Sequence, residues 1–523
     1  MKRLLLLLSV SLLIFTFPTK AFAGKTPAGY NIKIKIKGLK DTTVYLANYL
    51  GKDTYLVDSA RINNKGVAVF QRDTTLGCGI YMLAIGRVKL FEFVVSETEF
   101  ELETDTLDYL MNMKVKNSKE NEIFFEFQQH AYEASVEENR LQQVARQWAN
   151  DPTRQDSVKK IQEKLKQIPQ DMFNYRTEFM KRYPNAVLTQ IFNSMREPEV
   201  PDAPKDENGN IIDSNWQFYW YKTHYWDNVN FTSGCVLRSP VFHSKLERYI
   251  EKLTVQNPDS IYNSAVAIID KTLANKEMFR YTLIWIMNKY EKSKFICMDA
   301  VPVRLAVKYY TKERCFWLDT TEIMRTRANA ESFLPTLCNL FAPELRMYDS
   351  TLERKIDKIV DAEKDEDKRA NDLGLLLSRE KTTDLYAVNA KYTVLVFWDP
   401  DCGHCKKEMP VIKGFYDTVK KLGVEVYAVG VEQDTEHWVD YIRTNQLKWI
   451  NVIDSWNISG FRKSYNINST PQIFLLDENK KILAKRLGAE QLKEILYDEL
   501  GLKYVAPPKK EGETEDGHDG HDH

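Results

Sequence analysis

Only 7 cysteines and 8 histidines are spread through the 523 residues, and a single pair, Cys402 and Cys405, stands at C-x-x-C spacing. With no second C-x-x-C or C-x-x-H in the chain, the four ligands of a structural zinc site are missing, and no resident metal is expected at the motif. After the opening two dozen residues no stretch approaches the ~20 apolar residues of a membrane-spanning helix. Neither charge dominates: 73 Lys+Arg against 74 Asp+Glu leave a formal net charge of -1. With no sustained basic patch, nucleic acid is excluded as the expected partner. The first cysteine, Cys78, lies far from any N-terminal processing point, so a lipid anchor on a terminal cysteine is not expected.

What is present points to thiol chemistry. Cys402-Gly403-His404-Cys405 follows the β-branched run from Tyr392 to Phe397 and opens a segment, Cys402 to Lys421, that reads as a helix. Free N–H groups and the positive end of the dipole at a helix start favour an anion, so Cys402 is expected to ionise below the ~8.5 of a free thiol. Cys405, one turn deeper, is placed to resolve a mixed disulfide. A passive bridge across so short a loop would restrain little. Asp401 is a candidate cap for the same N–H groups, which would oppose ionisation, while a protonated His404 would assist it.

Phe397-Trp398, the C-x-x-C, Lys406, Glu408, Pro410 and Thr470-Pro471 together resemble the thioredoxin superfamily, and within it the TlpA/ResA-like thiol-disulfide oxidoreductases of bacterial envelopes. The likeness covers about the last third of the chain. It implies catalytic Cys402 and Cys405, redox tuning by Asp401, Gly403, His404 and Glu408, and a substrate-binding surface of Trp398, Thr470 and a cis Pro471. It implies no cofactor beyond the Cys402–Cys405 disulfide. Where thioredoxin proper has a buried aspartate this chain has Val396, so Glu408 or His404 must carry proton traffic. Gly403-His404 is the dipeptide of protein disulfide isomerase, whose potential differs from that of thioredoxin by ~90 mV, roughly 4 kcal/mol for two electrons. The wider likeness favours a reductase, with isomerase or oxidase as the alternative and a non-enzymatic envelope scaffold as a third reading.

The whole chain is expected to be multidomain α+β. Lys2-Arg3, the apolar run Leu4 to Phe17 and Ala21-Phe22-Ala23 read as a signal peptide over 1–23, cleaved after Ala23, which sends the protein to the periplasm. Residues 24–116 read as an antiparallel β-sandwich: Ile32, Ile34 and Ile36 alternate with Lys33, Lys35 and Lys37, and glycines punctuate short strands. It resembles a β domain of unknown role that precedes the thioredoxin unit in envelope relatives. Residues 117–334 read as helices entered at Ser118 and broken by prolines that include Pro152, Pro169 and Pro184. This block is similar to a helical domain of unknown function. Within it the aromatic run Trp216 to Phe231 is expected to be a buried helix, with an apolar groove or a sugar platform as alternatives.

Residues 335–503 read as the thioredoxin-like α/β domain, interrupted by an exposed charged helix over about 349–371. From 504 a Pro, Gly and acid-rich tail with His518, His521 and His523 is expected to be disordered, with loose Zn or Cu chelation as a second reading. Five cysteines lie outside the motif, and Cys297 with Cys315, or Cys235 with Cys338, are candidate pairs. Their odd number leaves at least one free. Expected partners are protein thiols and disulfides of the periplasm and an electron donor or acceptor.

Overall fold

The isoleucines of the first strand explain how the N-terminal part holds together. In the computed structural model, which describes residues 29–504, Ile32, Ile34 and Ile36 are fully buried on one face of β1 (Tyr30–Lys37). The signal sequence and most of the tail expected from the sequence lie outside the described residues. Seven more strands follow: β2 (Thr43–Leu50), β3 (Asp53–Arg61), β4 (Val67–Arg72), β5 (Gly79–Ile85), β6 (Val88–Val95), β7 (Glu99–Asp105) and β8 (Lys114–Lys116). They form two four-stranded sheets, ordered β4-β1-β7-β8 and β3-β2-β5-β6, whose inner faces share one core. All pairings are antiparallel except β1 with β7. That parallel pair sets Lys33 against Glu101 at 2.8 Å, and Lys35 and Lys37 against Glu103 at 3.3 and 3.1 Å. The outer lysines therefore face water as a cross-strand charge ladder, each rung contributing at most about 1 kcal/mol.

Ser118 caps α1 (Lys119–Trp148) by accepting from the Asn121 N–H, and Ile123, Phe124 and Phe125 at its start join the β core. Next come α2 (Gln155–Arg182), α3 (Val187–Met195), α4 (Trp216–His224) and α5 (Pro240–Glu251). Pro169 does not break the chain as expected; it lies inside α2 at an exposed position, where water can satisfy the carbonyl that loses its partner. Nor is the aromatic helix buried. No residue of α4 is buried, and Phe218 and Tyr219 are 42% and 58% exposed; only the following Tyr225 and Trp226 enter the core.

The described residues divide into two compact units, parted between Glu247 and Arg248. Cys78 pairs with Cys235 in the first and Cys297 with Cys338 in the second, while Cys315 is free and buried. Neither pairing expected from the sequence forms: Cys235 and Cys338 fall in different compact units, and Cys297 takes Cys338 in place of Cys315. Beside the first bridge the Arg238 side chain lies over Gly77, where an added Cβ would sit 2.1 Å from the guanidinium carbon. A side chain at Gly77 would force the guanidinium to move.

The second unit holds α6 (Pro258–Thr272), α7 (Lys276–Glu291), α8 (Ala300–Tyr309) and α9 (Thr320–Phe333); side chains of Asn257, Asn275 and, as a capping box with Glu322, Asp319 open α6, α7 and α9, whereas Asp299 ahead of α8 makes no side-chain cap bond. After β9 (Arg346–Met347) the charged segment folds as two helices, α10 (Ser350–Ala362) and α11 (Glu366–Leu377), rather than one exposed one. Leu352 and Ile356 are buried with Tyr348 in a small core of their own, which makes the insert amphipathic.

The central sheet then assembles. Its elements are β10 (Thr383–Asp384, paired with β9), β11 (Tyr392–Trp398), α12 (Cys405–Lys420), β12 (Val424–Gly430), α13 (Thr435–Asn445), β13 (Ile450–Ile453), α14 (Phe461–Ser464), β14 (Gln472–Leu476), β15 (Ile482–Lys485) and α15 (Ala489–Glu499). The five-stranded order is β13-β12-β11-β14-β15, parallel from β13 to β11 and antiparallel beyond. Every residue of β11 is buried. Val394, Val396 and Trp398 face a core shared with α12 and α15, and Leu395 and Phe397 face one shared with Phe461, Tyr465 and Met347. A strand covered on both faces explains the unbroken apolar run. The Cys297–Cys338 bridge and a 2.7 Å ion pair from buried Lys485 on β15 to Asp299 before α8 fasten helices and sheet within this unit.

Candidate redox site

The turn between β11 and α12 presents the two thiols. The helix begins at Cys405, with His404 at its cap position, so Cys402 stands just outside it rather than as its first residue. The Cys402 N–H donates to the Asp399 carbonyl at 3.2 Å, and the Cys402 carbonyl accepts from Lys406 N–H at 3.0 Å. The Cys402 side chain is half-buried; Cys405 is buried, 1% exposed. Both are free thiols within hydrogen-bonding reach of each other.

Their acidities are driven apart. Partial burial raises Cys402, but hydrogen bonds from the Thr470 side chain, from the N–H groups of Cys405 and His404, and from the Cys405 thiol outweigh it and leave the thiol below its ordinary value. The first N–H groups of α12 thus serve the sulfur from beyond the helix end. Burial pushes Cys405 up to about 12; the Asp399 N–H, 3.5 Å from its sulfur, and the Thr470 side chain oppose this, and the neighbouring Cys402 adds to it.

Because β14 runs antiparallel to β11 with Gln472 opposite Phe397, the preceding Thr470-Pro471 falls beside the turn. Its peptide bond is cis. The Cys402 thiol donates to the Thr470 carbonyl at 3.2 Å.

Several residues singled out in the sequence stand elsewhere than expected. Trp398 is fully buried against Tyr441, ring centroids 5.3 Å apart, and cannot touch a substrate. Its orientation follows from strand parity, which points it with Val394 and Val396 into the α12 core. Asp401 does not cap the helix; its N–H donates to the Asp399 carboxylate at 2.7 Å and its own carboxylate meets Lys406 at 3.3 Å. Glu408 accepts from the Ala489 N–H at 2.5 Å, capping the start of α15, and is not among the groups that chiefly shift either thiol. The His404 ring is exposed, and only its backbone N–H serves Cys402. Gly403 has open space where a side chain would be, so nothing steric demands glycine there. Val396 is fully buried.

The sequence did not single out Asp399 or the residues that follow β12. Glu432 and His437 lie close to Asp401. The signal that finds them is topological: parallel strands β11 and β12 end side by side, Trp398 opposite Gly430, and chemistry gathers outside such carboxyl ends. At Gly430 an added Cβ would strike the Trp438 ring 2.4 Å away, which fixes how closely α13 lies over the strand end.

Comparisons with known proteins find likeness chiefly in the last third of the chain. A family model described as Thioredoxin-like matches residues 389–482, and two described as domains of unknown function, DUF5106 and DUF4369, match 185–334 and 30–124. Sporulation thiol-disulfide oxidoreductase A of Bacillus subtilis (strain 168) is 37% identical over 108 residues, 20% of this chain and 64% of that protein. Thiol-disulfide oxidoreductase ResA of Bacillus thuringiensis subsp. konkukian is 31% identical over 127 residues, 24% of this chain and 70% of that protein. A solved domain of a possible thiol-disulfide isomerase from Cytophaga hutchinsonii is 34% identical, covering 32% of this chain and 95% of that one, with a TM-score of 0.25. This chain therefore spans just under two thirds of the first of these relatives and is itself matched over a fifth to a third of its length.

Proposed function

Because the chain belongs to the ResA-like thiol-disulfide oxidoreductases, we propose that it exchanges disulfides with exported protein clients through Cys402 and Cys405, acting as a reductase in the periplasm. The observation that carries this reading is the opposed acidity of two adjacent thiols, one half-exposed and lowered, the other buried and raised. The Cys402 thiolate attacks one sulfur of a client disulfide, forming a mixed disulfide and releasing the first client thiolate. Cys405 then attacks the Cys402 sulfur, giving up its proton as the second client thiolate leaves and takes one up. The client gains two electrons, Cys402 and Cys405 close into a disulfide, and a dithiol donor must reopen it. No cofactor is required.

The Thr470 carbonyl, which accepts from Cys402 at rest, is the acceptor a client backbone N–H would take over. A periplasmic site suits this chemistry, since two structural disulfides need an oxidising compartment to form. Among the described residues no helix is long and apolar enough to cross a membrane. The Gly403-His404 pair supports isomerase or oxidase as the second reading.

The test is insulin reduction by the full chain with dithiothreitol. Cys402→Ser should abolish the acceleration, and activity that survives it overturns the proposal. Cys405→Ser should instead trap a client as a mixed disulfide. Direction follows from the redox potential of the pair: a value near that of thioredoxin supports a reductase, one near that of protein disulfide isomerase the second reading.

A further inference from the structure

We propose that Asp401, Glu432 and His437 form a zinc site on the rim of the redox turn. They come from three places that the fold brings together: the turn after β11, the loop after β12 and the first turn of α13. One ligand atom from each lies within 4.8 Å of the other two. His437 Nδ1 stands 3.7 Å from Asp401 Oδ2 and 3.6 Å from Glu432 Oε2. Those separations exceed a hydrogen bond. They are close to the ~3.4 Å between neighbouring ligands of a tetrahedral zinc ion with bonds of about 2.0–2.2 Å.

The donors are held from behind. Glu432 Oε1 accepts from the N–H groups of Gln433 and Asp434 at 2.7 and 3.1 Å, leaving Oε2 to face the imidazole. Asp401 Oδ1 is engaged by Lys406 Nζ at 3.3 Å, leaving Oδ2. The His437 backbone is fixed by its N–H to Asp434 Oδ1 at 3.0 Å. A separate feature points the same way: the adjoining cleft of about 420 Å³ is lined by Asp357, Asp361, Glu432, Asp434 and Glu436. Glu436 is paired with Arg354, but the remaining carboxylates of the cleft still favour cations nearby.

One imidazole with two carboxylates is a borderline set. It suits zinc better than calcium or magnesium, which prefer all-oxygen shells, and better than copper(I), which prefers sulfur. Three protein ligands leave the fourth position open. Asp401 immediately precedes Cys402, so the site shares the turn that carries the reactive thiol. The binding does not depend on the redox role proposed above.

Zinc is titrated calorimetrically into the full chain with Cys402 and Cys405 oxidised, so that neither thiol can serve as a ligand, beside His437→Ala and Glu432→Gln. Any zinc taken by His518, His521 and His523 is common to all three chains and cancels. The wild-type chain should bind one equivalent that each variant loses or binds at least tenfold more weakly. Glu432→Gln keeps an oxygen for the Gln433 and Asp434 N–H groups, so loss in both variants is not a folding defect. Identical isotherms, or loss in only one variant, overturn the three-ligand site. Insulin reduction in excess chelator tests the redox reading independently.

Discussion

The Thr470 side chain holds both active-site sulfurs below where burial alone would put them, so its removal should be felt at both. Thr470→Val keeps the backbone acceptor and the shape but deletes the hydroxyl. A hydrogen bond to a charged group contributes about 1.5–3 kcal/mol, so alkylation of Cys402 at neutral pH should slow by roughly tenfold, with the titration curve moved to higher pH. An unchanged curve would mean that the helix N–H groups alone hold the thiolate. At this scale the sequence was informative wherever partners are local. Cys402, His404 and Cys405 meet through a turn of a few residues, and Ser118 caps the helix it precedes. It misled where the partner is remote: Glu408 shares a helix face with Cys405, yet its carboxylate is taken by Ala489, 81 positions away. Trp398 was misread for another reason, since its parity with Val394 and Val396 already pointed it inward.

Among the elements, α10 carries a sharper pH response than its charged composition implies. Glu353 is fully buried, accepts the Ser455 N–H at 2.8 Å through one oxygen and has no partner for the other. Burial raises its pKa from 4.5 to about 7, with the nearby Asp454 and Asp357 carboxylates adding to the rise and hydrogen bonds from Ser455 opposing it. The folded state therefore keeps a proton that the unfolded state gives up first. Stability from this group is full below 4.5 and is lost as pH rises to about 7, a difference on the order of 3 kcal/mol. Glu353→Gln should flatten that slope and raise the denaturation midpoint at about pH 8; a variant that parallels the wild type across the window would show that Glu353 is ionised in the fold. The acidic character of this segment was plain in the sequence. Its inward face was not, because Leu352, Glu353 and Ile356 are set apart only by the neighbours they meet after folding.

For the whole molecule, each compact unit has one covalent clasp, closing 157 residues in the first and 41 in the second. On a chain-entropy basis these contribute up to about 5 and about 4 kcal/mol. Cys235→Ser and Cys338→Ser should each lower the thermal midpoint of the unit concerned, read as separate calorimetric transitions, while insulin reduction at 25 °C persists. The β-to-helix change near residue 117 could be read from periodicity and punctuation, and the α/β character of the last domain from its resemblance to thioredoxin-like proteins. The pairing of the outlying cysteines could not, since it depends on which distant segments pack together.

The remaining cysteine, Cys315, is 1% exposed and pushed up to about 11 by burial. Under native conditions it should be silent to maleimides, as should Cys405. Mass tagging of the folded protein ought then to register one adduct when the C-x-x-C is reduced and none when it is oxidised. The chain would in effect carry its own gauge of oxidation state, readable on a gel from intact cells without engineering any background sulfhydryl away.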